Sequence, residues 1–123
     1  MVIDDNSQED VDLENSIFKE IQNDIETVKR HITIITTLLR EQPAGIIRIS
    51  QVTKMPEHKI RYSLRILERE GLIEPSREGA ILTPKFVDNK QKIAEQAKKL
   101  AKEMEEIYEN LRVSLGEASS QKK

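Results

Sequence analysis

The chain has 123 residues, of which 34% are charged and 3% aromatic, with a net charge of −2 and no cysteine. This length suffices for one domain with extensions, and the composition favours helices over a sandwich built on aromatic pairs. Without cysteine, disulfides, thiol catalysis and thiolate metal sites are excluded, and no apolar run is long enough to suggest a membrane span. The acidic start, MVIDDNSQED, does not resemble a signal peptide, so we expect a cytoplasmic protein.

Charge is distributed unevenly along the chain. Residues 1–42 carry ten acidic and four basic side chains, residues 43–85 carry five and eight, and residues 86–123 carry seven and eight. The positive excess therefore lies in the middle of the sequence, and we expect an anionic partner to bind there.

The N-terminal third predicts an acidic disordered tail (1–10) and then one long helix that ends near Glu41. Residues 11–27 form a helical extension. Within His31–Leu39 the apolar stripe widens because Ile34 and Leu38 join it, as expected where a helix meets a globular core. The β-branched run HITIITTLL is kept helical because the heptad spacing continues through it. The stripe comprises Val11, Phe18, Ile21, Ile25, Val28, Ile32, Ile35 and Leu39.

After this helix, QPAG (42–45) predicts a stop, and IIRI (46–49) predicts a short strand. Ser50 is then expected to cap a brief helix, QVTKM, with Val52 and Met55 pointing inward. The backbone N–H groups that follow Ser50 would be available to a phosphate.

Residues 56–70 predict a longer helix that begins at Pro56 and is ended by Gly71. At 100° per residue, Ile60, Leu64 and Leu67 share the inward face. The segments LIEP and AILT flank SREG, which predicts a β-hairpin with Gly79 at the bend.

Thr83 and Pro84 predict the start of a last helix (86–115), followed by a frayed tail (116–123). Its apolar stripe spans about four heptads and needs a partner helix, so we expect it to dimerise. The stripe begins at Phe86, and the residues expected in the dimer interface are Ile93, Ala97, Leu100, Met104, Ile107 and Leu111.

The outward face of the 56–70 helix carries Arg61, Arg65 and Arg69 at four-residue spacing. Like charges at this spacing repel by about 0.2–0.5 kcal/mol per pair, so a helix selected for stability alone would alternate the signs. An external anion explains the ridge. The alternative is that Glu57 and Glu68 form ordinary intrahelical pairs with Arg61 and Arg65.

Residues 49–85 resemble the winged helix-turn-helix domain of bacterial and archaeal transcription regulators. The resemblance is carried by PEHKIRYSLRILEREGLI and the closing ILTPK. The last helix is similar to the dimerising helix of small regulators and of archaeal coiled-coil winged-helix chromatin proteins. The implied fold is mainly α with a small β-hairpin wing, with the winged domain at 28–85 between long N- and C-terminal helices.

The resemblance implies a homodimer that binds double-stranded DNA, with residues 56–70 in the major groove and the hairpin near the minor groove. The implied role is transcription regulation at the nucleoid. The expected DNA-binding residues are Ser50, Gln51, His58, Lys59, Arg61, Tyr62, Arg65, Arg69 and Arg77.

Other functions remain open at this point. A chromatin protein would bind DNA without sequence preference, and a winged helix can also serve protein contacts, which the acidic N-terminus favours. We expect no enzyme activity, metal or cofactor, because no phosphate loop, nucleophile motif or ligand cluster is present. His31 is expected to have a structural role. Ile66 is an apolar residue on the outward side of the 56–70 helix, and we expect it to contact either a second subunit or the N-terminal helix.

Overall fold

The computed structural model describes residues 16–116, so the predicted tails at 1–10 and 117–123 and the predicted helical start at residues 11–15 lie outside the described residues. The described residues are mainly helical with one small antiparallel sheet, which confirms the predicted mainly α class with a small β-hairpin. The chain divides into two compact units, with the boundary between Pro84 and Lys85. The elements are α1 (Lys19–Arg40), α2 (Ile46–Thr53), α3 (Glu57–Arg69), β1 (Ile73–Ser76), β2 (Gly79–Leu82) and α4 (Pro84–Leu111), with one π-helical turn at Arg112–Gly116.

Helix α1 begins at Lys19, because residues 16–18 form a turn, so the helix predicted from Val11 does not include these three residues. From Lys19 it runs unbroken through the β-branched segment, which confirms the helical prediction there. Its C-terminal half buries Ile34, Ile35 and Leu38, in agreement with the wider stripe. Ile32 and Leu39, which the heptad spacing also placed on the stripe, are exposed. The core-facing side of α1 is therefore formed by Ile34, Ile35 and Leu38, of which Ile34 and Leu38 are the residues predicted to widen the stripe.

The predicted strand at residues 46–49 is wrong, because these residues form the first turn of α2. Helical spacing puts Ile49 fully in the core and leaves Ile47 exposed. A four-residue apolar run has no period of its own, so it fits a strand or a buried helix equally well. The predicted cap at Ser50 is also wrong, since Ser50 lies inside α2 and its hydroxyl donates to the Met55 carbonyl across 2.9 Å.

β-type pairing with the hairpin occurs at Ala44, just before the predicted strand at residues 46–49. It consists of a single antiparallel bridge between Ala44 and Ala80. The two backbone N–H···O distances of this bridge are 3.2 and 2.9 Å. The Gln42 side chain adds a second link, because its Oε1 accepts the N–H of Leu82 at 2.7 Å. The loop after α1 is thereby fixed to β2.

Helices α2 and α3 are joined by a short turn in which Lys54 adopts a left-handed conformation with φ of 64°. Pro56 precedes the first helical residue, and α3 ends before Gly71, whose φ of 80° confirms the predicted stop. Glycine suits this position because a positive φ costs it no Cβ clash.

The predicted hairpin is confirmed, although Gly79, which was predicted at the bend, is the first residue of β2. Ile73 pairs with Leu82 and Ser76 with Gly79, so Arg77 and Glu78 form a two-residue turn. Beyond β2, the Thr83 hydroxyl donates to the Gly71 carbonyl at 2.6 Å and ties the end of the hairpin to the end of α3.

One apolar core holds α1, α2, α3 and the hairpin together. Burying an aliphatic side chain of this size contributes about 1.5–3 kcal/mol, so the packing of a few residues fixes the orientation of α3. The residues fully removed from solvent in this core are Ile34, Leu38, Ile49 and Ile60, with Leu67, Ile73 and Ala80 nearly so.

Helix α4 is a single helix of 28 residues, Pro84–Leu111, so one long helix is present as predicted, but its α-helical part ends at Leu111 and not at residue 115. Phe86 is buried, and most of the predicted stripe beyond it is open to solvent. Leu100 is 63% exposed, and Ile107 and Leu111 are also exposed. The stripe is thus accessible to a partner over the second half of the helix.

Candidate nucleic-acid interface

The outer side of α3 presents six polar side chains to solvent. Packing decides this, because Ile60 and Leu67 are buried on the opposite side and Leu64 is half-buried, as the helical spacing predicted. The helix carries four basic and two acidic residues, which leaves a positive excess on one face. These six residues are His58, Lys59, Arg61, Tyr62, Arg65 and Arg69, and the two acidic residues of α3, Glu57 and Glu68, are exposed as well.

The arginines of α3 have no carboxylate partners among residues 16–116. Ion pairs in this part of the chain include Arg48–Glu41 and Arg112–Glu109, and none of those described involves Arg61, Arg65 or Arg69. The intrahelical pairs considered as an alternative, Glu57–Arg61 and Arg65–Glu68, are therefore absent from the described structure. The like charges on the ridge are not neutralised within the domain.

Tyr62 is 47% exposed, and one face of its ring is covered by Arg30 of helix α1. The guanidinium carbon of Arg30 lies 5.9 Å from the ring centroid, within the range of a cation–π contact. The phenol therefore remains at the surface while its ring is held in place by α1.

Ser63 is fully buried on the inward side of α3 and connects that helix to α1. Its Oγ accepts the Nε–H of Arg30 at 2.8 Å and lies 2.9 Å from Nδ1 of His31. Burial, and secondarily the charge of Arg30, lower the pKa of His31 below its ordinary value of 6.5. A neutral His31 with an unprotonated Nδ1 accepts a hydrogen bond from the Ser63 hydroxyl, so this hydroxyl both accepts and donates a hydrogen bond.

The remaining predicted site residues lie on other elements. Gln51 is exposed on α2, and Arg77 is exposed in the hairpin turn. Ser50 is half-buried and its hydroxyl is engaged with Met55. The N–H groups after Ser50 do not open a helix, because α2 begins at Ile46; the predicted phosphate site there is wrong.

Ile66 is half-buried on the same flank of α3 as Tyr62 and Ser63. That flank is the one where α1 contributes Arg30 and His31. Of the two explanations for this residue, its position favours the N-terminal helix over a second subunit.

Sequence reasoning missed the contribution of Arg30 and Ser63. One signal was present: Ser63 falls between the inward positions of Ile60 and Leu67, and a hydroxyl on an apolar face needs a partner. The partner itself, 33 positions away in the chain, is set by tertiary packing.

Residues 16–116 contain no group of three His, Cys, Asp or Glu side chains arranged to hold a metal ion. In the same part of the chain, no helix combines the length and the apolar character that crossing a bilayer requires. Compared with known proteins, the chain matches no family model, no curated protein and no solved structure.

Proposed function

We propose that this protein is a winged helix-turn-helix regulator of transcription that binds double-stranded DNA as a homodimer. In this proposal α2 and α3 form the helix-turn-helix, α3 enters the major groove, and the β1–β2 hairpin is the wing. Arg77, at the tip of the hairpin, reaches the minor groove, where a narrow groove attracts arginine.

The observation that carries the proposal is the row of exposed arginines on α3 without carboxylate partners in residues 16–116. Arg61, Arg65 and Arg69 repel one another on an isolated helix. DNA phosphates neutralise such a row. In the major groove, a guanidinium can also donate two hydrogen bonds to one guanine base. Binding an anion thus removes a cost that the folded domain otherwise carries.

Dimerisation follows from the second unit of the chain. The exposed stripe of α4, which includes Leu100, Ile107 and Leu111, has coiled-coil spacing. Pairing two copies of α4 buries this stripe and gives the protein two DNA-binding heads, as a two-fold DNA site requires.

The experiment that tests the proposal is a titration of short DNA duplexes with the full-length protein at low and at moderate salt. A regulator retains a preferred sequence, selected from random DNA, in the presence of unrelated competitor DNA. Binding that falls equally steeply with salt for every sequence indicates a chromatin protein instead. Absence of binding even at low salt contradicts both and favours a protein-contact module.

The proposal includes no catalytic activity and no cofactor, and it places the protein at the nucleoid. Its effect on transcription depends on where the selected sequence lies relative to promoters.

A further inference from the structure

Arg30 occupies an unusual position for a surface arginine, at the seam between α1 and α3. It is half-buried, its Nε donates to Ser63 Oγ at 2.8 Å, and its guanidinium lies over Tyr62. Among residues 16–116 it makes no ion pair with a carboxylate. Its charge is therefore held in place by a hydroxyl and an aromatic ring, and neither of these groups neutralises it.

Ser63 and His31 together make this arrangement possible. A buried hydroxyl that accepts from Arg30 must still donate its own proton, and Nδ1 of His31 lies 2.9 Å from the same oxygen. With a neutral His31 the proton has an acceptor, and no second positive charge stands beside the guanidinium. The three side chains form one hydrogen-bonded network that fixes the direction of Arg30.

Fixing an arginine side chain costs rotamer freedom, which the contacts to Ser63 and Tyr62 offset before any ligand binds. The contacts to Ser63 and Tyr62 use only the Nε–H and one face of the guanidinium, so the four N–H groups on the two terminal nitrogens remain available. Those are the groups that bind phosphate oxygens in pairs. The network thus presents an ordered phosphate-binding group beside the exposed ring of Tyr62.

We propose that Arg30 binds a phosphate of the DNA backbone, as a contact outside the recognition helix that sets how α3 enters the groove. This inference rests on the proposed function, because it needs DNA on the outer side of α3. Since a phosphate carries no sequence information, the contact strengthens binding to all duplexes equally. Ser63 is a positioning residue in this account, because it acts through Arg30.

The test uses the full-length protein, short duplexes of preferred and unrelated sequence, and a series of salt concentrations. Arg30→Gln removes the charge but keeps an N–H donor within reach of Ser63. We expect the slope of log affinity against log salt to lose about one unit and the affinity in about 0.1 M salt to fall roughly tenfold, equally for all duplexes. Arg30→Lys restores the charge and is expected to restore the slope.

Two further variants separate this contact from a structural role. Lys29→Gln removes an adjacent positive charge on α1 and is expected to keep the wild-type slope. Ser63→Ala keeps the charge of Arg30 but releases the side chain, so the slope is retained while the affinity falls several-fold. A thermal melt confirms that each variant is folded.

The inference is overturned if Arg30→Gln keeps the wild-type affinity and slope, whether or not its melting temperature falls, since Arg30 is then only a link between helices. Its failure is distinct from failure of the proposed function. If wild-type protein binds DNA and Arg65→Ala weakens binding while Arg30→Gln does not, only this inference is lost. If wild-type protein does not bind, both are lost.

Discussion

Gly79 lies directly against the backbone of Ala44, where the loop after α1 meets the first residue of β2. A Cβ placed on Gly79 would come within 2.4 Å of the Ala44 carbonyl carbon, and the φ of Gly79 is 138°. Both the close approach and the backbone conformation require glycine at this position.

Gly79→Ala is therefore expected to lower the free energy of unfolding by about 2–4 kcal/mol, from a strained backbone and a displaced Ala44–Ala80 bridge. The measurement is urea denaturation followed by circular dichroism. Gly45→Ala is the matched control, since an added Cβ there meets nothing within 4 Å, and we expect a change below about 1 kcal/mol. Equal effects for the two variants would contradict the close packing at Gly79.

The helical assignment of residues 46–49 is tested by the difference between two isoleucines. Ile49 is 0% exposed and Ile47 is 66% exposed, so Ile49→Ala creates a cavity and Ile47→Ala does not. We expect a loss of about 2–5 kcal/mol for the first and a change within about 0.5 kcal/mol for the second, measured by urea denaturation. In a strand, Ile47 and Ile49 would lie on the same face and be buried or exposed together. Similar losses at both positions would therefore refute the helix.

Much of the fold follows from the sequence because its signals are local. The heptad spacing predicted that α1 continues through HITIITTLL, Gly71 marked the end of α3, and the spacing of Ile60, Leu64 and Leu67 gave its inward face. The strand predicted at 46–49 failed because a short apolar run carries no period. The contacts of Ser63 could not be predicted, since they join residues 32 and 33 positions apart and depend on how α1 packs against α3.

We expect His31 to make the stability of the protein depend on pH. Its pKa is lowered in the folded protein from the ordinary value of 6.5, so the unfolded chain binds more protons between the two values. The free energy of unfolding is therefore expected to fall as the pH drops from about 6.5 toward the lowered pKa, and to be largest above that window. Thermal melts across this range measure the effect.

His31→Gln keeps a polar side chain near Ser63 but removes the titrating group. The pH dependence in this window is expected to flatten in the variant. If wild type and variant lose stability in parallel as the pH falls, another group is responsible and the neutral state assigned to His31 is wrong.

Leu100→Asp tests the dimer interface on α4. Leu100 is 63% exposed in the single chain, so the substitution costs the isolated helix little, whereas a carboxylate in a coiled-coil core opposes pairing. Sedimentation equilibrium is expected to show a dimer for the wild type and a monomer for the variant. Lys99→Asp, at the neighbouring position outside the stripe, is expected to remain dimeric. A monomeric wild type would contradict the proposed assembly.

The most direct test of DNA binding through the outer side of α3 is the affinity of Arg65→Ala for short duplexes, measured by fluorescence anisotropy. Arg65 is exposed and has no ion-pair partner within residues 16–116, so its removal leaves the fold intact. The account predicts that Arg65→Ala weakens binding by about 1–3 kcal/mol, while Arg112→Ala, an arginine outside the α3 surface, leaves it unchanged. Wild-type affinity in the Arg65→Ala variant would contradict the account.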